Sequence, residues 1–176
     1  MLSVKAPRGL THARRLYEPE AWLARIATGL ARLGTKRGVL LVQLPPTLAD
    51  DHDRLASFLN RVPRELRVCL EFRHPSWHHD QTFALLEKHV AAYCVMSGAK
   101  LPCVLRVTTD FAYVRLHGPD DQHLYGGSYG DADMRWWADR IGEWRAMSRD
   151  VFVYFNNDAA GHAVRNALTL RHMVGA

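Results

Sequence analysis

Short apolar runs alternate along this chain with segments whose apolar residues recur at helical spacing. The clearest run, Val39 to Leu44, ends at Pro45-Pro46, which cannot continue a central ladder. Leu2 to Lys5, Arg67 to Phe72, Ala92 to Met96, Phe111 to Leu116 and Val151 to Phe155 read the same way, each short enough for a buried strand. Between them Trp22, Ile26, Leu30 and Leu33 follow Pro19 at near-helical spacing, and Gly34 closes that element. Leu55, Phe58, Leu59 and Val62 make a second apolar face, ended by Pro63, and Phe83, Leu86 and Val90 a third. Asp131 or Asp133 caps a fourth helix, with Met134, Trp137, Ile141 and Trp144 along one stripe; Trp136 falls off it and is expected half exposed. Val164, Ala167, Leu168 and Met173 form the last face. Residues 97–109 hold Gly98 and Pro102 but no helical stripe, and are expected to be irregular. The alternation predicts repeated βα units and a parallel sheet, an α/β fold.

Within the strands, side chains alternate between the helix side and the opposite side. Ala112, Val114 and Leu116 suit the helix side, which sends Tyr113, Arg115 and His117 the other way. Val68, Leu70 and Phe72 likewise leave Glu71 and Arg73; Leu40, Val42 and Leu44 leave Gln43; Leu2 and Val4 leave Lys5. The polar members come late in each strand, at the end where parallel α/β folds build their sites. Buried charges there cost several kcal/mol unless paired or solvated. The predicted site is therefore a ring of Lys5, Gln43, Glu71, Arg73, Arg115 and His117, completed by Asn156, Asn157 and Asp158 after the last strand. The competing reading is a set of internal salt bridges, such as Glu71 with Arg73 or Arg115.

Composition narrows the classes. The chain has 176 residues, 48% of them hydrophobic, with no repeat and no Gly/Ser-rich linker, so one domain over 1–176 is expected. No apolar run approaches the roughly 20 residues that span a bilayer, and Met1 opens no signal peptide. Cys69, Cys94 and Cys103 form no CxxC pair, which points to buried thiols in a reduced, cytoplasmic setting. A net charge of +5 and a pI near 9.4 favour an anionic partner, although the arginines are dispersed rather than gathered in a tract. His74, His78, His79 and Asp80 are available as ligands, yet no HExxH or other fixed-spacing motif joins them; they read as loop histidines, and no metal is assigned. Ser76 sits in no GxSxG elbow, and Tyr125-Gly-Gly-Ser-Tyr129 is a loop rather than a nucleotide fingerprint.

Five segments carry a family resemblance: residues 4–12 (VKAPRGLTH), 41–46 (LVQLPP), 71–77 (EFRHPSW), 113–118 (YVRLHG) and 154–158 (YFNND). In this order they resemble the motifs of the YecE-like family, domain of unknown function 72. The resemblance implies a TIM-type (β/α) barrel from a bacterial or archaeal cytoplasm, with no settled activity. The family's recurrent polar positions fall on Lys5, Arg8, Thr11, His12, Gln43, Glu71, Arg73, His74, Tyr113, Arg115, His117, Asn156, Asn157 and Asp158. Family members begin with two more βα units, on the order of 60 residues. The resemblance thus implies an N-terminally shortened barrel with about six of eight strands, whose exposed sheet edges invite self-association.

Three functional readings follow. The first is an enzyme acting on a small anionic or polyhydroxylated ligand, with Glu71 and His117 as acid-base groups and Lys5, Arg73 and Arg115 as anion clamps. Arg8, His12, Gln43, His74, Tyr113, Asn156, Asn157 and Asp158 would complete its ligand-binding set. The second is a nucleic-acid-binding or nuclease-like barrel, the third a non-catalytic fragment of the family. No cofactor is assigned and no membrane association is expected.

Overall fold

The computed structural model describes residues 1–147 and 149–176. The chain divides into two compact units, 1–93 and 94–176. In the first unit β1 (Leu2–Lys5), β2 (Arg37–Gln43), β3 (Val68–Glu71) and the first two residues of β4 (Ala92–Ser97) pair in parallel, each with the next in sequence. The second unit continues with the last four residues of β4, β5 (Phe111–Leu116) and β6 (Asp150–Phe155), again parallel and in order. Helices α1 (Glu20–Ala31), α2 (His52–Leu59) and α3 (Asp80–Lys88) lie in the crossovers of the first unit; α4 (Asp131–Ala146) and α5 (His162–Met173) belong to the second. The predicted six strands and five helices are all present; Ser97, expected in the irregular segment, extends β4, and 98–109 holds only bends and a turn.

The two faces of each strand are those that the alternation predicts. In the first unit Phe72 stacks on Trp77 (ring centroids 4.7 Å), and Tyr93 meets Phe83 of α3 edge-on at 5.1 Å. These contacts mark the helix side, so Glu71, one residue before Phe72, lies opposite. In the second unit Val151, Val153 and Phe155 face Ile141 of α4 and Leu170 of α5 across a cavity of about 420 Å³. On the other face Tyr113 stacks on Phe152 and Tyr154 at 6.3 and 5.1 Å. Met134, Trp137, Ile141 and Trp144 of α4 are buried as the stripe predicts, and Trp136 is 41% exposed. Asp133 reaches back from the first turn of α4, its carboxylate accepting from the Gly130 N–H at 3.0 Å. Cys69 and Cys94 are buried, Cys103 exposed.

Two helix faces differ from expectation. Val164 and Leu168 of α5 are 65% and 51% exposed, Met173 also lies outside, and the buried face is Ala163, Asn166 and Leu170. The cause is polar. The Asn166 carbonyl accepts from Asn157 Nδ2 (2.9 Å) and the Tyr129 N–H (3.2 Å), while its amide donates to the Tyr129 carbonyl (3.0 Å). A satisfied buried amide sets the rotation of α5 where apolar residues alone would turn it differently. Val90 likewise leaves the α3 face: the helix ends at Lys88, and Val90 sits at φ 54° with its side chain 68% exposed. Among the described residues no helix is long and apolar enough to cross a membrane.

Candidate functional site

Each unit gathers polar side chains at the C-terminal ends of its strands. In the first, Gln43 and Glu71 are register partners on β2 and β3, and Lys5 pairs with Leu41 on the same face. Lys5 Nζ donates to Gln43 Oε1 at 2.7 Å. Glu71 is fully buried, and Arg73 Nε donates to its Oε1 at 2.5 Å, with the guanidinium side chain only 7% exposed. A carboxylate removed from water is tolerable only with such charge-assisted partners.

The segment after β1 adds positive charge. It turns through a single π-helical turn, Gly9–Ala13, packed so closely under α1 that a Cβ at Gly9 would lie 2.6 Å from the Trp22 ring. This turn places His12 beside Arg8 and Lys5. Burial, and then the charges of Arg8 and Lys5, hold the His12 imidazole below its ordinary range, and its Nδ1 lies 2.8 Å from the Thr11 hydroxyl. Lys5, Arg8 and His12 thus form an electropositive group after β1.

Two further histidines of this unit bond to neighbouring groups. His74 Nδ1 lies 2.8 Å from the Ser76 hydroxyl and accepts from the Ser76 N–H at 3.2 Å, capping a short 3₁₀ turn. His78 Nδ1 lies 2.8 Å from the Tyr93 hydroxyl; burial first, and then His79, lowers its pKa. Sequence reasoning passed over Asp50 and His52, which the fold brings to His79. The donor atoms of these three lie within 4.8 Å of one another. The hydrogen bond to Ser76, joined by that of His79 and the charge of His52, holds the Asp50 carboxyl below its usual range against the opposing effect of burial. An acidic, histidine-bearing stretch after one strand (Asp50-Asp51-His52) and a His-His pair after the next were the available signals.

In the second unit Arg115, near the end of β5, and His117, just after it, are both buried. Arg115 is in register with Met96 and Tyr154, on the face that Tyr113 shares with Phe152 and Tyr154. The loop 118–130 folds back over this end. The Tyr125 N–H donates to the His117 carbonyl at 2.6 Å, their rings meet edge-on at 5.4 Å, and the Gly118 N–H donates to the Tyr129 hydroxyl at 3.1 Å. Gly118 has φ 101°, and a Cβ there would fall 2.1 Å from the Gly126 carbonyl, so only glycine lets the loop close. Asn157 donates to the Gly127 carbonyl (3.0 Å) and to Asn166, tying the loop to α5. Its buried Oδ1, like that of Asn156, has no hydrogen-bond partner among the described residues. Asp158 is exposed.

The fold and these strand-end clusters define an α/β protein with buried polar groups where parallel sheets carry their sites. The chain belongs to the family described as protein of unknown function DUF72, whose model matches residues 1–176. It is similar to the UPF0759 protein YunF of Bacillus subtilis (strain 168), at 25% identity over 158 residues, 74% of this chain and 55% of that protein. The chain thus spans little more than half the length of that curated relative. Two solved DUF72 family proteins share the fold. One from Thermotoga maritima MSB8 has a TM-score of 0.87 at 24% identity, covering 99% of this chain and 73% of the other. One from Enterococcus faecalis V583 has a TM-score of 0.84 at 17% identity, covering 98% and 73%.

Proposed function

We propose that this fold is the greater part of a TIM-type (β/α) barrel, and that the protein is an enzyme binding a small anionic or polyhydroxylated ligand at the C-terminal ends of its strands. Five parallel pairings between consecutive strands support the barrel reading. One observation carries the functional reading: Glu71 is a fully buried carboxylate held on Arg73 at the end of β3, beside Gln43. Barrels that need only stability fill such layers with aliphatic side chains. Within the first unit, Glu71 serves as the acid-base group, Lys5, Arg8 and Arg73 hold an anion, and Gln43 hydrogen-bonds the ligand. In the second unit, Arg115 and His117 supply an anion clamp and an acid-base group of the same kind.

The test is thermal unfolding in the presence of inorganic phosphate, pentose and hexose phosphates, and the free sugars. At least one should raise Tm through preferential binding to the native state. The response should be lost in Lys5→Gln, a substitution at an exposed side chain, and weakened in Arg73→Gln. A panel without any shift, or a shift that survives both substitutions, would overturn the reading.

A further inference from the structure

The loops after β2 and β3 carry a second constellation that the proposed ligand site does not use. We infer that Asp50, His52 and His79 form a binding site for a divalent transition metal of the zinc class. The three side chains come from different places in the sequence and converge. Asp50 ends the loop that leaves β2, His52 is the first residue of α2, and His79 is the residue immediately before α3. Both imidazoles direct Nε2 to one point: His52 Nε2 lies 3.1 Å and His79 Nε2 3.4 Å from the Thr82 hydroxyl, which is itself buried. Asp50 Oδ2 closes the group at 3.6 Å from His79 Nε2, and the two rings stand edge to face with centroids 5.2 Å apart.

The spacing suits coordination. Zinc bonds of about 2.0–2.2 Å in a tetrahedron put donors roughly 3.4 Å apart. The widest donor separation here, 4.8 Å or less, needs a contraction of at most about 1.4 Å, within reach of side-chain rotation. Asp50 and His79 keep 36% and 38% of their side-chain surface in solvent, so they are free to make that adjustment, and a fourth position stays open to water. Two imidazoles and one carboxylate are the ligands of zinc and its first-row neighbours, whereas magnesium and calcium take oxygen.

The surroundings hold the group in place. Asp51 caps α2, accepting from the Arg54 N–H at 2.9 Å, and so fixes His52 in the first turn. Trp77, stacked on Phe72, donates its indole N–H to the Leu48 carbonyl at 2.9 Å and joins the two loops. The Asp50 N–H donates to the Ser76 hydroxyl at 2.8 Å, and that hydroxyl lies 2.8 Å from His74 Nδ1. Outer partners of this kind orient ligating groups. The sequence reading assigned no metal because it sought fixed spacings, and these ligands are brought together by two parallel crossovers. With three protein ligands and one open position, the ion would be of the kind that polarises a bound oxygen or activates water.

The experiment uses the untagged chain, stripped with chelator and titrated with Zn²⁺ calorimetrically and with Co²⁺ by visible absorption. Wild type should bind one ion per chain, and Co²⁺ should give the intense absorption of a tetrahedral site. His52→Ala and His79→Ala should each weaken binding at least about 100-fold, and Asp50→Asn about 10-fold or more. His123→Ala and His162→Ala, neither of which belongs to the group, should match wild type. Circular dichroism checks each fold, and His79→Gln replaces any variant that fails to fold. Absence of stoichiometric binding in wild type, or binding unchanged in both His52→Ala and Asp50→Asn, would overturn the assignment.

Discussion

Strands β5 and β6 lie side by side over six paired residues, yet every residue of β5 is buried and none of β6 is. In the first unit the same contrast separates β2, buried at five of seven positions, from β1, buried at none. Sequence does not explain it. Asp150-Val-Phe-Val-Tyr-Phe155 is at least as apolar as Phe111-Ala-Tyr-Val-Arg-Leu116, and even Arg115 is only 8% exposed. Neighbours explain it. β5 is paired on both sides and β2 likewise, whereas among the described residues β1 pairs only with β2 and β6 only with β5. The difference teaches that apolar pattern states what a strand is suited to bury, and pairing decides what it does bury. It also locates the chemistry: the fully buried polar side chains Glu71 and His117 stand at the end of, and just after, doubly paired strands, while Lys5, the last residue of β1, is exposed.

The comparison is broken most directly by one substitution made on both kinds of strand. Leu40→Ala on β2 removes a fully buried side chain and should cost about 2–5 kcal/mol in urea unfolding. Leu2→Ala on β1, where the side chain is 54% exposed, should stay within about 0.5 kcal/mol. Equal costs would show that β1 is as well packed as its neighbour.

A smaller effect concerns the outer edge of β1. If the open side of β1 is a template for another chain, sedimentation velocity should show concentration-dependent association, and Leu2→Lys with Val4→Lys should shift it to monomer. A wild-type monomer at all concentrations would remove this consequence of the exposed edge.

The smallest effect is a titration. The His12 ring signal should have its NMR midpoint below 6.5, because burial and the neighbouring positive charges both disfavour the imidazolium. Arg8→Ala should raise the midpoint, and Lys5→Ala should raise it by less. A midpoint at or above 6.5 in wild type would dissolve the electropositive group after β1.

Much of this was legible from residue order. The strand period exposed Glu71 and Arg73 as partners opposite the helix side, and Phe111–Leu116 matches its predicted span. The α5 face was not legible, because Asn166, buried by its hydrogen bonds to Asn157 and Tyr129, looks polar in the sequence and therefore exposed. Val90 was misread because helical spacing continues past the turn that ends α3. The convergence of Asp50 and His52 on His79 was out of reach for another reason: their distance in the chain is bridged by the tertiary crossovers, which no local period records. The tether from Asn157 to the Gly127 carbonyl is hidden in the same way.

The central claim is that Glu71 and Arg73 are buried at the end of β3 to meet a ligand rather than to hold the strand. Replacing both by apolar residues of similar size, Glu71→Leu with Arg73→Met, separates the two roles, since a buried ion pair contributes little net stability when exchanged as a unit. Unfolding and phosphate or sugar-phosphate titrations should be run on this double variant beside wild type. The account predicts stability equal to or above wild type, with affinity reduced about tenfold or more, about 1.4 kcal/mol. A double variant that is clearly destabilised yet binds as wild type does would contradict it, leaving the pair as an internal salt bridge.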